Sequence, residues 1–170
     1  IREKAFAFDR SSVFAEQALG RSYQDLARTY QLDGKVSEAR SMFERAQALF
    51  RRLAEADPTN FVKQGNLAEN TTFLAKLAGQ NGQTEKALFM CREVLVMSDS
   101  LLATQKIANL EKRKLAVARI DCAEILLDAG NRADALKYLI SVKELFEDPA
   151  LARDSGTEIE RLNAIIARAG

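Results

Sequence analysis

Histidine is absent from this 170-residue chain, and cysteine and proline occur only twice each. A structural zinc site needs about four Cys/His ligands, so none can be assembled, and a nucleophilic thiol would have no imidazole as its base. Two cysteines fit a reducing compartment better than a disulfide framework, and a cytoplasmic location is expected. Charge of one sign is also missing: 25 basic and 24 acidic residues leave a net +1. No global field then steers the chain to nucleic acid or to anionic lipid. No apolar run approaches the roughly 20 residues of a membrane helix. These absences predict a chain without cofactor or metal, and without nucleic-acid or membrane contact.

What is present is a core and a period. Hydrophobic residues make up 47% of the chain, enough to bury a core without disulfides. With proline confined to positions 58 and 149 and apolar residues recurring at three and four, the pattern predicts helix throughout. Gly34, Gly82 and Gly130 recur every 48 residues, each followed five residues later by Ala39, Ala87 or Ala135. Such self-similarity is the signature of a repeat array, which presents a surface to a partner.

In the first half of each unit the recurring sets are Leu26/Ala27/Tyr30, Leu74/Ala75/Ala78 and Cys122/Ala123/Leu126, each on one helical face. The second halves carry Ala39/Phe43/Ala46/Phe50, Ala87/Cys91/Val94/Ser98 and Ala135/Leu139/Val142/Phe146. That i, i+4, i+7, i+11 spacing is again a single stripe. Between the halves a glycine can adopt the left-handed conformation that ends a helix at little cost. Each unit therefore reads as two antiparallel helices whose stripe is buried only by stacking on the next pair.

This pattern resembles the tetratricopeptide repeat. The usual unit has about 34 residues; the period here matches an extended 48-residue form, with the junction Leu53-Ala54-Glu55-Ala56-Asp57-Pro58-Thr59-Asn60 followed by Gln64 and Leu67. The resemblance implies an all-α, right-handed solenoid of helix pairs. Its expected bounds are the end of a preceding helix at 1–8, units at 12–56, 59–104 and 106–147, and a capping helix at 155–168. Arrays of this kind occur C-terminal to bacterial serine/threonine kinases and in other bacterial signalling proteins, so an excised piece of such a protein is expected. Register supports this, since Phe8-Asp9-Arg10-Ser11-Ser12 stands where Ala56-Asp57-Pro58-Thr59-Asn60 stands one unit later.

Asp148-Pro149 should stop the third unit, and Ser155-Gly156-Thr157-Glu158 reads as a capping box opening a helix with Ile159, Leu162, Ile165 and Ile166 on one face. Thr104-Gln105-Lys106 lacks the Asp-Pro signal, so the helices flanking it are expected to join or kink there, with Ser98-Asp99-Ser100 an alternative break.

Candidate chemistry is thin. Cys91 and Cys122 fall on core positions of the repeat and should pack as small hydrophobes. The basic run Lys112-Arg113-Lys114, with Lys106 and Arg119, is broken by Glu111 and Asp121 and lacks aromatics, which favours a solvated helix face over a phosphate site. No carboxylate pair is singled out by spacing, and no enzyme is expected. Asn70-Thr71-Thr72 has the form of a glycosylation acceptor but lies mid-helix.

By register, the inner face of the first helices should project Arg21, Gln24 and Arg28, then Glu69, Thr72 and Lys76, then Val117, Ile120 and Glu124. The lysine/asparagine pairs by which some tetratricopeptide domains clamp a C-terminal carboxylate are missing, yet Arg21, Arg28 and Lys76 suit an acidic or amphipathic peptide. The expected function is a protein-interaction scaffold that takes a peptide or helix in its groove or self-associates, the latter also at an exposed Ala5, Phe6 and Phe8 edge. The alternatives are a regulatory ligand-sensing or nucleic-acid-binding repeat domain, and inner-face residues that only meet solvent.

Overall fold

The computed structural model describes residues 13–104 and 107–169. Among them are eight helices and no strand: α1 (Val13–Leu32), α2 (Val36–Ala56), α3 (Phe61–Gln80), α4 (Thr84–Leu102), α5 (Asn109–Asp128), α6 (Arg132–Leu145), the short α7 (Pro149–Ala152) and α8 (Gly156–Ala169). The chain is all-α and repeat-like. The expected preceding helix at 1–8, the Phe8–Ser12 junction and the Ala5/Phe6/Phe8 edge lie outside the described residues.

Three reversals are built alike. Gly34, Gly82 and Gly130 have φ of +73°, +72° and +80°, a region in which a side chain would be strained. The next residue's N–H then reaches back to close the helix end: Lys35 to the Tyr30 carbonyl, Gln83 to Ala78 and Asn131 to Leu126, at 2.8, 2.9 and 2.8 Å. This is the Schellman closure, and it turns α1 onto α2, α3 onto α4 and α5 onto α6. Between units the junctions differ. Asn60 caps α3 by accepting the Lys63 N–H at 3.2 Å, and Lys63 Nζ holds Asp57 at 2.9 Å. The Lys63 hydrogen bond holds the Asp57 carboxyl below its usual range.

At the next junction α4 ends at Leu102 and α5 starts at Asn109, so the helices are separate; Ser98-Asp99-Ser100 lies within α4. The Thr104 hydroxyl donates to the Leu101 carbonyl at 2.7 Å and buried Ile107 pins the connection. At the C-terminal end α8 forms, but without the expected capping box. Ser155 is buried and its hydroxyl donates to the Leu151 carbonyl at 2.8 Å, while the Glu158 carboxylate is taken by Arg113.

All twelve stripe residues of the second helices are buried, Phe146 at the C-cap of α6 included. Phe43 and Leu139 fill the space between helix pairs, and Leu162 and Ile165 of α8 cover the last of it. Small residues permit the close approaches: a Cβ on Gly20 would meet the Phe50 ring at 2.7 Å. One expected core residue departs, because Leu26 is exposed while its counterparts Leu74 and Cys122 are buried.

Where α2 and α6 carry Phe50 and Phe146, α4 carries Ser98, and Arg119 of α5 takes the vacated volume. Arg119 was expected on a solvated basic face; it is buried instead. Its Nε donates to Ser98 Oγ at 2.9 Å, one terminal nitrogen donates to Ser141 Oγ at 2.8 Å and the other binds Asp99, with the Tyr138 ring below. Burial pushes the Arg119 pKa down and the Asp99 charge opposes it. The guanidinium is thus a satisfied core group, the condition under which a buried charge is tolerated.

Cys91 and Cys122 are fully buried side by side. The neighbouring Cys91 side chain, and then burial, push the Cys122 thiol well above the usual thiol range, and a protonated buried thiol is inert. Because both side chains are fully buried, both thiols should resist an aromatic disulfide reagent in the native protein at neutral pH and react only as fast as the chain unfolds. Labelling followed with and without urea checks this.

Candidate functional site: a groove lined by the first helices

The groove, of about 390 Å³, is lined by α3 and α5 with Arg28 of α1 and with Glu158 and Arg161 of α8. Its apolar floor comes from Phe73 of α3 and from Leu110 and Val117, seven residues apart on one face of α5. Phe73 is fixed by stacking on Phe43, with ring centroids 5.5 Å apart and planes 24° apart. Leu110 is 62% exposed.

Charged side chains rim this floor. Arg28 lies over the Phe73 ring, its guanidinium carbon 4.3 Å from the centroid, and reaches Glu69 at 3.4 Å. Such a cation over an aromatic face contributes about 0.5–1 kcal/mol at an exposed site. Lys76 pairs with Asp121 at 3.0 Å, and Arg161 of α8 pairs with the same Asp121 at 2.5 Å and with Glu124. Burial alone would lower the Arg161 pKa, but Glu124 and Asp121 outweigh it and hold it above its ordinary value. On the other side Arg113 Nε and a terminal nitrogen both donate to Glu158 Oε1, at 3.1 and 2.8 Å. Lys114 lines the groove without an ion-pair partner among the described residues.

The inner-face residues expected from register separate into three groups. Arg28, Glu69, Thr72, Lys76 and Val117 line the groove, although Thr72 is buried and its hydroxyl donates to the Ala68 carbonyl at 2.9 Å. Glu124 borders an adjoining depression of about 230 Å³ beside Lys76 and Asp121. Arg21, Gln24 and Ile120 are not among the lining residues: Arg21 is exposed on α1, whereas Gln24 is buried and Ile120 is 0% exposed in the core. Ile120 therefore offers nothing for a partner to bury. Thr72 and Ile120 turn inward: Thr72 lies against Cys122 of α5, and Ile120 joins the core cluster that holds residues of α4, α6 and α8.

The reading of the repeat missed Phe73, Leu110, Ala118, Asp121, Glu158 and Arg161 as groove residues, and it set Arg113 and Lys114 on a solvated helix face instead of in the groove. The i, i+7 pair Leu110/Val117 was a usable signal; Arg161 had none, since α8 stands outside the period. The acceptor-like Asn70 is fully buried, its amide nitrogen donating to the Phe43 carbonyl at 3.0 Å and to Gln47 at 2.8 Å.

Among the described residues no helix is long and apolar enough to cross a membrane, and no group of three His, Cys, Asp or Glu side chains could hold a metal ion. Comparison of the sequence with protein-family models and with curated proteins gives no match.

Two outcomes follow from this charge arrangement. Asp121 is 5% exposed between two cations, so Asp121→Ala should lower the unfolding free energy by about 2 kcal/mol, less than for a wholly buried pair because Lys76 and Arg161 remain a third exposed. Urea denaturation of both proteins measures the difference. Partial burial pushes the Glu158 carboxyl up from its ordinary 4.5, but hydrogen bonds from Arg113 and the backbone outweigh it and hold it lower. A carboxyl depressed in the folded state adds stability that is complete above 4.5 and is lost as pH falls through the folded value. Glu158→Gln should therefore destabilise the protein at neutral pH and narrow that deficit under acid, which urea midpoints at about pH 7 and about pH 3 would show.

Proposed function

We propose that this chain is a non-catalytic interaction module, part of a tetratricopeptide-like array, that binds an acidic, aliphatic peptide or helical segment of a partner protein in the groove. The observation that carries this reading is the pairing of an open apolar floor with a cation that has no ion-pair partner among the described residues. Leu110 and Val117 can bury an aliphatic side chain, and Lys114 stands between them in sequence with no ion-pair partner among the described residues. Buried apolar anchors supply affinity, and charges at the rim supply orientation.

Net charge at the groove favours an acidic segment. Arg28, Lys76, Arg113, Lys114 and Arg161 face Glu69, Asp121 and Glu158, an excess of two positive charges. Lys76 and Arg161 are committed to Asp121, so they shape the groove more than they recognise a ligand. Lys114 is the side chain available to a carboxylate, and Arg28, about half exposed on its Phe73 platform, can take a second one beside Glu69.

The 48-residue period and the Leu53–Asn60 junction also support a place in a bacterial cytoplasmic signalling protein such as a serine/threonine kinase. A gene that encodes no signalling or catalytic domain beside this segment would overturn that part of the reading.

For the groove, peptides selected on the chain from a random display library should be enriched in Asp/Glu and aliphatic residues. Their affinity should fall at least about tenfold with Leu110→Asp or Lys114→Glu and stay unchanged with Arg21→Glu, read by fluorescence anisotropy. Selected peptides that bind all three variants as tightly as the parent would refute the groove.

A further inference from the structure

The opposite side of the molecule carries a feature that the groove does not use. Along α4 the stripe Ala87, Cys91, Val94 and Ser98 is buried, yet the face turned directly away from it carries Phe89 at 61% and Val96 at 69% exposure. The two stand seven residues apart, two helical turns, and form one ridge with partly exposed Met97 beside it. Arg92 and Glu93 lie between them, and a shallow depression runs along these five residues.

The repeat shows that this ridge is no requirement of the fold. One unit earlier the positions of Phe89 and Val96 hold Ser41 and Ala48, and one unit later they hold Lys137 and Glu144. All four neighbours suit a solvated outer helix face. Only the middle unit places a large aromatic and a β-branched residue there, and exposing them to water is unfavourable by about 25 cal/mol for each Å² of apolar surface.

We infer that the outer face of α4 is a homodimerisation surface, on which two copies pack α4 against α4 in antiparallel fashion about a two-fold axis. The occupant follows from the order of residues along the helix. A dyad between positions 92 and 93 brings Phe89 to the level of Val96 of a second copy, and Val96 to the level of its Phe89. The same axis gathers two Arg92 and two Glu93 side chains at its centre, a neutral cluster in which each guanidinium can reach a carboxylate across the axis. Further out, Lys86 comes level with Asp99, an exposed carboxylate that also binds Arg119 from within its own chain. One helix therefore supplies both halves of the contact, the self-complementarity that a two-fold interface requires. A partner of any other sequence would have to match this order independently.

Two large apolar residues per copy make a small contact, so the dimer should be weak, with a dissociation constant of about 10–100 μM. This inference is independent of the peptide groove, which lies on the first helices of each unit.

Sedimentation velocity of the 170-residue chain from about 1 to about 500 μM tests it. A monomer–dimer equilibrium is expected, weakened at least about tenfold by Phe89→Ser with Val96→Ala, the residues of the first unit. R92E and E93R should each weaken self-association by placing four like charges at the axis, whereas an equimolar mixture of the two proteins should form a heterodimer at least as tight as the parent dimer. Circular dichroism should show all variants folded, since every changed side chain points away from the core. A chain that stays monomeric throughout, or a dimer unaffected by Phe89→Ser with Val96→Ala, overturns the inference. Failure of the mixed charge variants to associate overturns the antiparallel arrangement.

Discussion

A left-handed glycine at each turn is the constraint on which the remaining structure depends. With φ near +75° at Gly34, Gly82 and Gly130, the chain reverses directly behind each first helix, and the second helix returns along it at close range. Close range is useful only if the facing surfaces are shallow, and the alanines that follow each turn, Ala39, Ala87 and Ala135, supply this with fully buried methyl groups. The larger residues further along the stripe then meet the next pair rather than their own. No helix pair buries Phe43 or Leu139 alone, and so stability couples neighbour to neighbour along the chain.

That coupling also explains how the array absorbs its irregularities. A serine in place of phenylalanine at position 98 would leave a void, but Arg119 fills it and finds Ser98, Ser141 and Asp99 as partners. At the far end α8 is no member of the period. It seals the core with Leu162 and Ile165 and extends Arg161 and Glu158 across the groove. The same helix thus completes the core and sets the electrostatics of the candidate site. Asp121 is the link, a nearly buried carboxylate held by α3 and α8 together.

The two proposed binding surfaces lie on different faces of this scaffold. The first helices carry an apolar floor with an excess of positive charge, suited to a segment with acidic and aliphatic residues. The outer face of α4 carries a ridge that its sister units lack. The groove draws on all three units and α8, whereas the α4 ridge belongs to the middle unit alone.

Periodicity alone determined the helical class, the three reversals, the twelve-residue second-helix stripe and the burial of both cysteines. Those are local or nearest-neighbour properties, governed by backbone conformation at glycine and by which residues share a helical face. Tertiary structure alone decided the burial of Gln24, Thr72 and Ile120, the entry of Arg119 into the core and the position of Arg161 over the groove. Each depends on the distance and angle between helices remote in sequence. A spacing of three and four residues tells which side chains lie together on a helix; only the packing of one helix on another tells which of them water can still reach.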